Sequence, residues 1–370
     1  PGFMNSALPR ISQPVASLRA LSRINGVLPT APTKPEVIPP IVWLQPWQVW
    51  ATITSWKAGS GVAEQSGKPN PLHLLNRYRL ELFHAHCSLI EQLFLRHWET
   101  HLNTRCPDPY PSTWNCILID DRTTRQTRIC ILNTLLMTRL KAAVTIYTPA
   151  SRYEDFTKLT EPFRRFVQIE TLDEHGIVDS LGWNRYNHLL KSGAFWKTLT
   201  AKHVLIFQPD ALLIQPLELD ELRYDFAGAP WNKGRVTSCE FPTYDRALQR
   251  TGSNWVNQVL CQTVPDQTTN GNGGLSIRNP RVMQAICEEH SHTSPEEEAE
   301  DIFFARHLGE ETYQAKLPSQ DVLSRLFNES SYSDSSGFHG SWYYLDASEQ
   351  ARLYDKHTKH VIGMLLGLES

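Results

Sequence analysis

The chain lacks several features that would have assigned it to a class at once. It has seven cysteines in 370 residues, and no two of them are spaced as CxxC, which excludes zinc-ribbon and thioredoxin-like motifs. No run of about 18 apolar residues suits a membrane span, and no signal peptide is evident. Scattered, unpaired cysteines are typical of reduced, buried side chains, so we expect a cytoplasmic protein without an integral membrane segment.

Neither sign of charge dominates the sequence. The sequence contains 36 Lys and Arg residues and 39 Asp and Glu residues, which gives a formal net charge of −3. A general nucleic-acid binder would carry a basic excess, and we therefore expect no nucleic-acid partner. The chain also has no G-x-G-x-x-G after its first predicted strand and no P-loop lysine motif, which argues against dinucleotide oxidoreductases and P-loop NTPases.

Composition divides the chain into four predicted regions. Prolines are frequent in the first region, and the second contains Trp43, Trp47 and Trp50 on one helical face, followed by an amphipathic pattern. These tryptophans fit either packing against the main domain or an exposed partner surface. The regions are a Pro-rich arm (1–40), a Trp-rich helical extension (41–110), an α/β domain (111–345) and a C-terminal tail (346–370).

Strands and helices alternate in the third region. Short β-rich runs occur at 115–120, 143–148, 166–170 and 203–207, with helical patterns between them at 129–141, 153–165 and 183–199. This spacing predicts βαβ units and a mostly parallel central sheet. Ligands of such sheets lie at the carboxyl ends of the strands, where the sequence places Asp120-Asp121-Arg122 and Gln208-Pro209-Asp210.

Asp210 directly follows the apolar run HVLIF, and a second apolar run begins after it. A carboxylate at this edge of a sheet can hold Mg²⁺ or Mn²⁺ against a diphosphate. The cation would then stabilise the charge of a departing nucleoside diphosphate. Taken alone, Asp210 fits a turn residue better than a metal ligand.

Several further blocks accompany Asp210 in a fixed order across roughly residues 112–345. Together they resemble a family of predicted glycosyltransferases, catalogued as a domain of unknown function and related to the GT-A nucleotide-sugar enzymes. The blocks are a helix with Ser192, Phe195 and Trp196, then LIFQPD (205–210), YDFAGAPW (224–231), NGNGGLSIR (270–278), Glu300-Asp301 and Gly337-Phe338-His339.

The resemblance implies a GT-A-like, Rossmann-related nucleotide-sugar fold with a Mn²⁺ or Mg²⁺ ion on the donor diphosphate. Asp210 would hold the metal, and His339 matches a late histidine that ligates the metal in several GT-A families. Gln208 stands where many GT-A enzymes have a first aspartate. The family pattern also has glutamine there, although an amide oxygen is a weaker ligand than a carboxylate.

The resemblance also implies a catalytic base. In related inverting enzymes an acid at the Glu/Asp-Asp site deprotonates the acceptor hydroxyl, a task that suits a carboxylate. We expect Asp301 to act as the base, with Glu300 as the second candidate. Both residues open a predicted helix, so they also fit ordinary N-terminal helix charges.

The remaining site residues divide between donor and acceptor. Glycines of the NGNGG block would let the backbone approach a sugar or adopt positive φ, Asn272 could bond hydroxyl groups, and Trp231 could wall the pocket. The residues expected at the nucleotide donor are Asp120, Asp121, Arg122, Asn187, Ser192, Gln208 and Asp210. Those expected at the sugar or acceptor are Trp231, Asn270, Asn272, Gly273 and Gly274.

The sequence therefore predicts a metal-dependent glycosyltransferase. We expect its donor to be a nucleoside-diphosphate sugar, with a UDP-sugar favoured, and its acceptor to be a hydroxyl group of a glycan, a protein or a small molecule. Inversion is expected if Asp301 lies opposite the leaving diphosphate, and retention otherwise. The alternative is an inactive transferase-like protein that binds a glycan or a partner. A metal-dependent phosphoesterase is less favoured, because such sites gather more Asp and His ligands.

Overall fold

The computed structural model describes residues 71–97, 113–230, 270–294, 298–329 and 331–366. All of these residues belong to the unit Lys68–Ser370. The predictions for the Pro-rich arm and for the tryptophans before residue 71 lie outside the described residues. No helix in the described ranges is both long enough and apolar enough to cross a bilayer.

Nine strands in these ranges form two sheets. The central sheet has the order β3-β2-β1-β4-β7-β6, and a small sheet has the order β5-β9-β8. The strands are β1 (Trp114–Ile119), β2 (Ala143–Thr148), β3 (Val167–Thr171), β4 (His203–Phe207), β5 (Ala211–Leu213), β6 (Phe226–Pro230), β7 (Asn270–Arg278), β8 (Phe327–Asn328) and β9 (Gly337–His339).

The central sheet is parallel from β3 to β4 and antiparallel at its other edge. β1 pairs in parallel with both β2 and β4, and β2 pairs in parallel with β3. β7 runs antiparallel to β4 and to β6. The predicted α/β class and the mostly parallel central sheet are confirmed.

The described helices are α1 (Pro71–His97), α2 (Arg125–Met137), α3 (Tyr153–Thr160), α4 (Gly182–Leu190), α5 (Gly193–Thr198), α6 (Pro280–His290), α7 (Glu300–His307), α8 (Gln320–Leu326), α9 (Ser341–Tyr344) and α10 (Ala347–Leu365). The segment assigned to a C-terminal tail contains α10, whose buried side chains include Leu353 and Val361.

The central sheet is covered on both faces. Alternate side chains of a strand point to opposite faces, and those of β1 divide between two apolar clusters. Cys116 and Leu118 join a cluster built largely from α1, α2, α8 and α10. Ile117 and Ile119 join a second cluster built largely from α4 to α7. Phe195 and Trp196 of α5 lie in this second cluster.

Four of the seven cysteines lie in described regions, and all four are buried and free. They are Cys87, Cys116, Cys130 and Cys287. The prediction of reduced, buried thiols is confirmed for these four. The other three cysteines lie outside the described residues.

Candidate functional site

Asp210 lies on the turn that leads from the central sheet into the small sheet. β4 ends at Phe207, and the Gln208 N–H donates to the carbonyl of Gly274 on β7 at 2.8 Å. After Pro209, the Ala211 N–H donates to the Gln208 carbonyl at 2.9 Å and closes the turn. The Asp210 side chain is 31% exposed. The turn therefore presents a carboxylate at the carboxyl end of β4, where the sequence predicted one.

His339 reaches the same turn from β9. β9 pairs with β5 so that His339 is opposite Ala211, the residue after Asp210. Its Nε2 lies 2.9 Å from Gln208 Oε1 and 3.3 Å from Asp210 Oδ1. The three side chains named as metal or donor ligands from the sequence thus meet, although His339 lies 131 residues after Gln208 in the chain.

Glu329 completes this group, and it was not predicted from the sequence. Its Oε1 accepts a hydrogen bond from Asn272 Nδ2 at 2.6 Å and lies 3.3 Å from His339 Nδ1. Its Oε2 is buried and has no hydrogen-bond partner. The available signal was the position of Glu329 directly after the apolar segment that ends in β8. That signal is common, and only the pairing of β8 with β9 brings the carboxylate to His339.

Charge, rather than burial, decides the protonation of His339. Burial alone would lower its pKa, but the carboxylates of Asp210 and Glu329 raise that pKa to about 10. In return, the charged imidazole lowers the pKa of Asp210 against the opposing effect of burial. The pKa of Glu329 is raised, chiefly by burial. The site therefore stabilises a positive charge among oxygen atoms.

Asp301 lies beside this group, at the start of α7. Its Oδ2 accepts a hydrogen bond from the Gly273 N–H at 3.2 Å, and its Oδ1 accepts one from the Ile302 N–H at 2.8 Å. Burial and the neighbouring charges of Glu300 and Glu329 raise its pKa to about 7. A half-buried carboxyl with such a pKa can accept a proton near neutral pH.

Glu300, the second candidate base, is occupied by an ion pair. Its carboxylate accepts two hydrogen bonds from Arg278, at 2.5 and 2.8 Å, and it is 3% exposed. Arg278 is fully buried and lies over the rings of Phe226 and Phe304. A buried, bidentate pair of this kind is costly to break. The geometry gives Glu300 a structural role and leaves Asp301 as the accessible acid.

The NGNGG block lies in β7, and Gly273 and Gly274 do not have positive φ. Of the two roles that the sequence suggested for its glycines, positive φ is therefore not adopted at these two positions. Gly273 and Gly274 instead make room for the site, since a Cβ at Gly273 would collide with Glu300 and one at Gly274 with His339. Asn272 is 7% exposed, and its Oδ1 accepts from the Gly274 N–H at 2.8 Å. Its amide group therefore positions Glu329 and β7.

The end of β1 lies beside the end of β4. Asp120 is 3% exposed, and its Oδ1 accepts from Arg122 Nε at 2.8 Å and from the Asp121 N–H at 2.9 Å. Its Oδ2 is buried without a hydrogen-bond partner, and burial raises its pKa. Asp121 Oδ2 accepts from the Leu181 N–H at 2.8 Å. The charge of Arg122 also lowers the pKa of Asp210, which connects the two strand ends electrostatically.

The other predicted site residues form no hydrogen bond with the side chains of Asp210 or His339 in the described structure, or they lie outside the described residues. Asn187 accepts from the Glu300 N–H and donates to the Trp183 carbonyl, each at 2.8 Å, so it fixes the start of α7. Ser192 precedes α5, and its side chain makes no capping hydrogen bond. Asn270 contributes the first backbone residue of β7. Trp231 lies outside the described residues.

Comparison with known protein families gives one match. A family model described as "Protein of unknown function (DUF5672)" matches residues 166–339. This range contains β3 to β9 and every residue of the site except those at the end of β1. No curated protein sequence matches the chain.

Solved structures similar to the chain include three glycosyltransferases. The mannosyltransferase PcManGT from Pyrobaculum calidifontis, in complex with GDP-Man and Mn²⁺, is 12% identical with a TM-score of 0.31, and the match covers 62% of each chain. The glycosyltransferase GlyE of Streptococcus pneumoniae is 10% identical with a TM-score of 0.37, covering 68% of this chain and 62% of that one. Mouse xyloside xylosyltransferase 1 is 8% identical with a TM-score of 0.32, covering 61% and 97%. The chain thus spans less than two thirds of PcManGT and of GlyE, and likenesses this loose carry no argument about activity or ligand.

Proposed function

We propose that this protein is a metal-dependent glycosyltransferase that moves a sugar from a nucleoside-diphosphate donor to an acceptor hydroxyl. The observation that carries the proposal is the convergence of His339 Nε2, Asp210 Oδ1 and Gln208 Oε1 at the carboxyl end of β4, with His339 2.9 Å from Gln208 and 3.3 Å from Asp210. A proton acceptor, Asp301, lies next to this group. The ordered sequence blocks that resemble GT-A enzymes supply these same residues.

The donor set fits a divalent cation. A carboxylate, an amide oxygen and an imidazole nitrogen suit Mn²⁺, and the oxygens suit Mg²⁺. Without an ion, the neighbouring carboxylates keep His339 protonated, and Nε2 would have to lose its proton to hold a cation. A bound cation would offset the negative charge of the leaving diphosphate. Asp210 and His339 would hold it, with Gln208 as a weaker ligand.

Asp301 would accept the proton of the acceptor hydroxyl. Its raised pKa makes it a stronger base than an ordinary aspartate, and its ionised fraction increases as the pH rises through about 7. The hydrogen bonds from Gly273 and Ile302 fix the carboxylate beside β7. Inversion at the sugar carbon is expected if the acceptor enters between Asp301 and the donor.

Asp120, Asp121 and Arg122 would contact the nucleotide. The buried Oδ2 of Asp120 has no protein partner, and Arg122 could pair with a phosphate. UDP is our first choice of nucleotide. Asn187 and Ser192 are proposed as further donor contacts, after Asp120, Asp121 and Arg122. The residues proposed as sugar or acceptor contacts are Asn270, Asn272, Gly273, Gly274 and Trp231. Asn272 also holds Glu329 through a hydrogen bond.

Thermal unfolding with UDP, GDP, CDP or ADP, each with and without Mn²⁺, tests the donor site. A ligand at 100 times its Kd stabilises the folded state by about 2.7 kcal/mol, which raises the Tm by a few degrees. We expect one nucleotide to raise the Tm only with Mn²⁺, and Asp210→Ala to abolish the rise. Asp179→Ala, an exposed aspartate, is the matched control. An equal rise in Asp210→Ala would refute the assignment.

Hydrolysis of the matching nucleotide sugar then distinguishes an enzyme from the alternative binding protein. In the presence of Mn²⁺ a transferase slowly transfers the sugar to water, which yields free sugar and nucleoside diphosphate. A chain that binds the nucleotide and Mn²⁺ but never cleaves the donor, with any acceptor supplied, would favour the binding protein.

A further inference from the structure

Two histidines and a glutamate meet at the far end of α7 from Asp301. His290 is the last residue of α6, His307 is the last residue of α7, and Glu310 follows three positions later. We call these three residues the helix-end cluster. His307 is six positions from Asp301 along α7, roughly 9 Å at the rise of a helix. The cluster is therefore separate from the candidate donor site.

The three side chains present their ligand atoms to one another. Glu310 Oε1 lies 2.5 Å from His307 Nδ1, and Glu310 Oε2 lies 3.3 Å from His290 Nε2. One nitrogen or oxygen from each residue falls within a common span of 4.8 Å. The two imidazole rings stack, with centroids 3.8 Å apart and planes inclined by 10°. Two imidazoles and one carboxylate form a common set of zinc ligands.

One of these ligand atoms lacks a hydrogen-bond partner. His290 Nε2 is buried and makes no hydrogen bond, even though a carboxylate oxygen is 3.3 Å away. A cluster that served only to hydrogen-bond its members would satisfy this nitrogen as it satisfies His307 Nδ1. A cation bound between this buried nitrogen and the carboxylate would supply the partner that the nitrogen lacks.

The surrounding backbone favours a cation at this position. The C-terminal end of a helix carries a partial negative charge, and α6 and α7 both end here. Glu310 adds a full negative charge. The side chains are 20%, 12% and 39% exposed for His290, His307 and Glu310, so an ion from solvent can reach them.

We propose that the helix-end cluster binds a divalent transition-metal ion, with Zn²⁺ as the best match. A tetrahedral zinc with bonds of about 2.0–2.1 Å needs ligand atoms roughly 3.3 Å apart, as His290 and Glu310 already are. Stacked rings cannot both direct a lone pair at one ion, so binding requires one imidazole to turn about its Cβ–Cγ bond. A water molecule takes the fourth position.

Such an ion would join the end of α7 to the end of α6. Since α7 begins with Glu300 and Asp301, the ion would also steady the helix that carries the proposed base. Binding to the folded chain alone raises its stability. The helix-end cluster shares no residue with the donor site, so it can bind zinc whether or not the chain is a glycosyltransferase.

The test uses the whole chain carrying Asp210→Ala, which removes the donor-site ligand, after dialysis against a chelator. Titration with Co²⁺ should give one equivalent with the absorption bands of a tetrahedral site, and Zn²⁺ should displace it. His307→Ala, and separately Glu310→Gln, should weaken Zn²⁺ binding at least about 100-fold, more than the loss expected for a supporting residue. His292→Ala, an exposed histidine on the same turn, should leave binding unchanged.

Either of two results would overturn the proposal. One is the absence of Co²⁺ and Zn²⁺ uptake by the folded Asp210→Ala chain. The other is unchanged affinity and absorption in Glu310→Gln, whose partly exposed side chain can be altered without disturbing the core. A Zn²⁺-dependent rise in Tm that disappears in Glu310→Gln but persists in His292→Ala would support it independently of absorption.

Discussion

Two groups of buried polar side chains shift the pKa of a histidine in opposite directions. At the candidate donor site, Asp210 and Glu329 raise the pKa of His339 to about 10 and keep it charged. Between α1 and α10, burial lowers the pKa of His86 to about 3 and that of His357 well below its ordinary value. The same residue type is therefore a cation in one place and neutral in the other. Neighbouring carboxylates, not depth of burial, make the difference.

The neutral group is a closed hydrogen-bond network. His86 Nε2 lies 2.9 Å from His357 Nδ1, and His357 Nε2 lies 3.1 Å from Asn133 Nδ2. Asn133 also bonds both backbone groups of Leu213, on β5. These contacts serve packing, whereas the donor site leaves carboxylate oxygens of Glu329 and Asp120 without hydrogen-bond partners. We infer that the neutral network stabilises the fold, and that the candidate donor site binds the proposed metal and nucleotide sugar.

The largest difference should appear in activity. Asp301→Asn should lower transferase turnover by about 100- to 10,000-fold, since general-base catalysis contributes on that order. The fold should be intact by circular dichroism. Asp321→Asn, which changes an exposed acid in the first turn of α8, is the matched control and should retain full turnover. Normal turnover in Asp301→Asn would remove Asp301 from the mechanism.

The neutral network should show the opposite behaviour. His357→Ala removes the hydrogen-bond partner of His86 Nε2 and one of the two partners of Asn133 Nδ2, and a buried polar group left unsatisfied costs about 1–3 kcal/mol. The midpoint of urea unfolding should fall accordingly, while turnover per folded molecule stays close to that of the unmodified chain. His360→Ala, less buried and one turn further along α10, should shift the midpoint less. A stable but inactive His357→Ala protein would break the distinction between the two groups.

Acid should destabilise the protein through the neutral network. The pKa of His86 is 6.5 in the unfolded chain and about 3 in the folded one, so between these values the unfolded chain binds more protons. Stability is therefore retained above pH 6.5 and lost as the pH falls below it, by up to about 1.4 kcal/mol per pH unit for each such histidine. Urea midpoints at pH 7.5 and 5.5 measure this slope. His86→Leu should flatten it, and an unchanged slope would contradict the assignment.

The smallest effect should be a gain in stability at the donor site. The pKa of Asp301 is raised to about 7 from an ordinary 3.8, so the folded state disfavours its charge and loses stability as the pH rises between these values. Asp301→Asn should therefore have a higher Tm than the unmodified chain at pH 8, and the gain should vanish near pH 4. A lower Tm at pH 8 would show that the carboxylate supports the fold.

The sheet could be predicted from the sequence, but part of the site could not. β1, β2 and β4 were placed correctly because apolar runs of strand length alternate with helical patterns. Asp210 was singled out because it directly follows an apolar strand, and Asp301 because the family resemblance implies a base at Glu300-Asp301; the roles of both residues stay predictions. Glu329 was missed because nothing local distinguishes it, and only the pairing of β8 with β9 gives it a partner.

The space that the glycines of β7 provide could not be predicted for a related reason. A sequence shows that a glycine is present but not which side chain needs the space, and the occupants here, Glu300 and His339, come from elements far away in the chain. The existence of α10 was likewise decided by packing, since its Leu353, Tyr354 and Val361 belong to the apolar cluster on one face of the sheet.

Mn²⁺ binding in the presence of UDP tests the central claim most directly. The electron paramagnetic resonance signal of the free ion measures this binding. We predict that the chain binds one equivalent of Mn²⁺ more tightly with UDP than without it. This binding should be lost in Asp210→Ala and retained in both Asp179→Ala and Glu310→Gln. Equal binding by Asp210→Ala and the unmodified chain would contradict the claim that the turn after β4 holds the metal of a nucleotide-sugar donor.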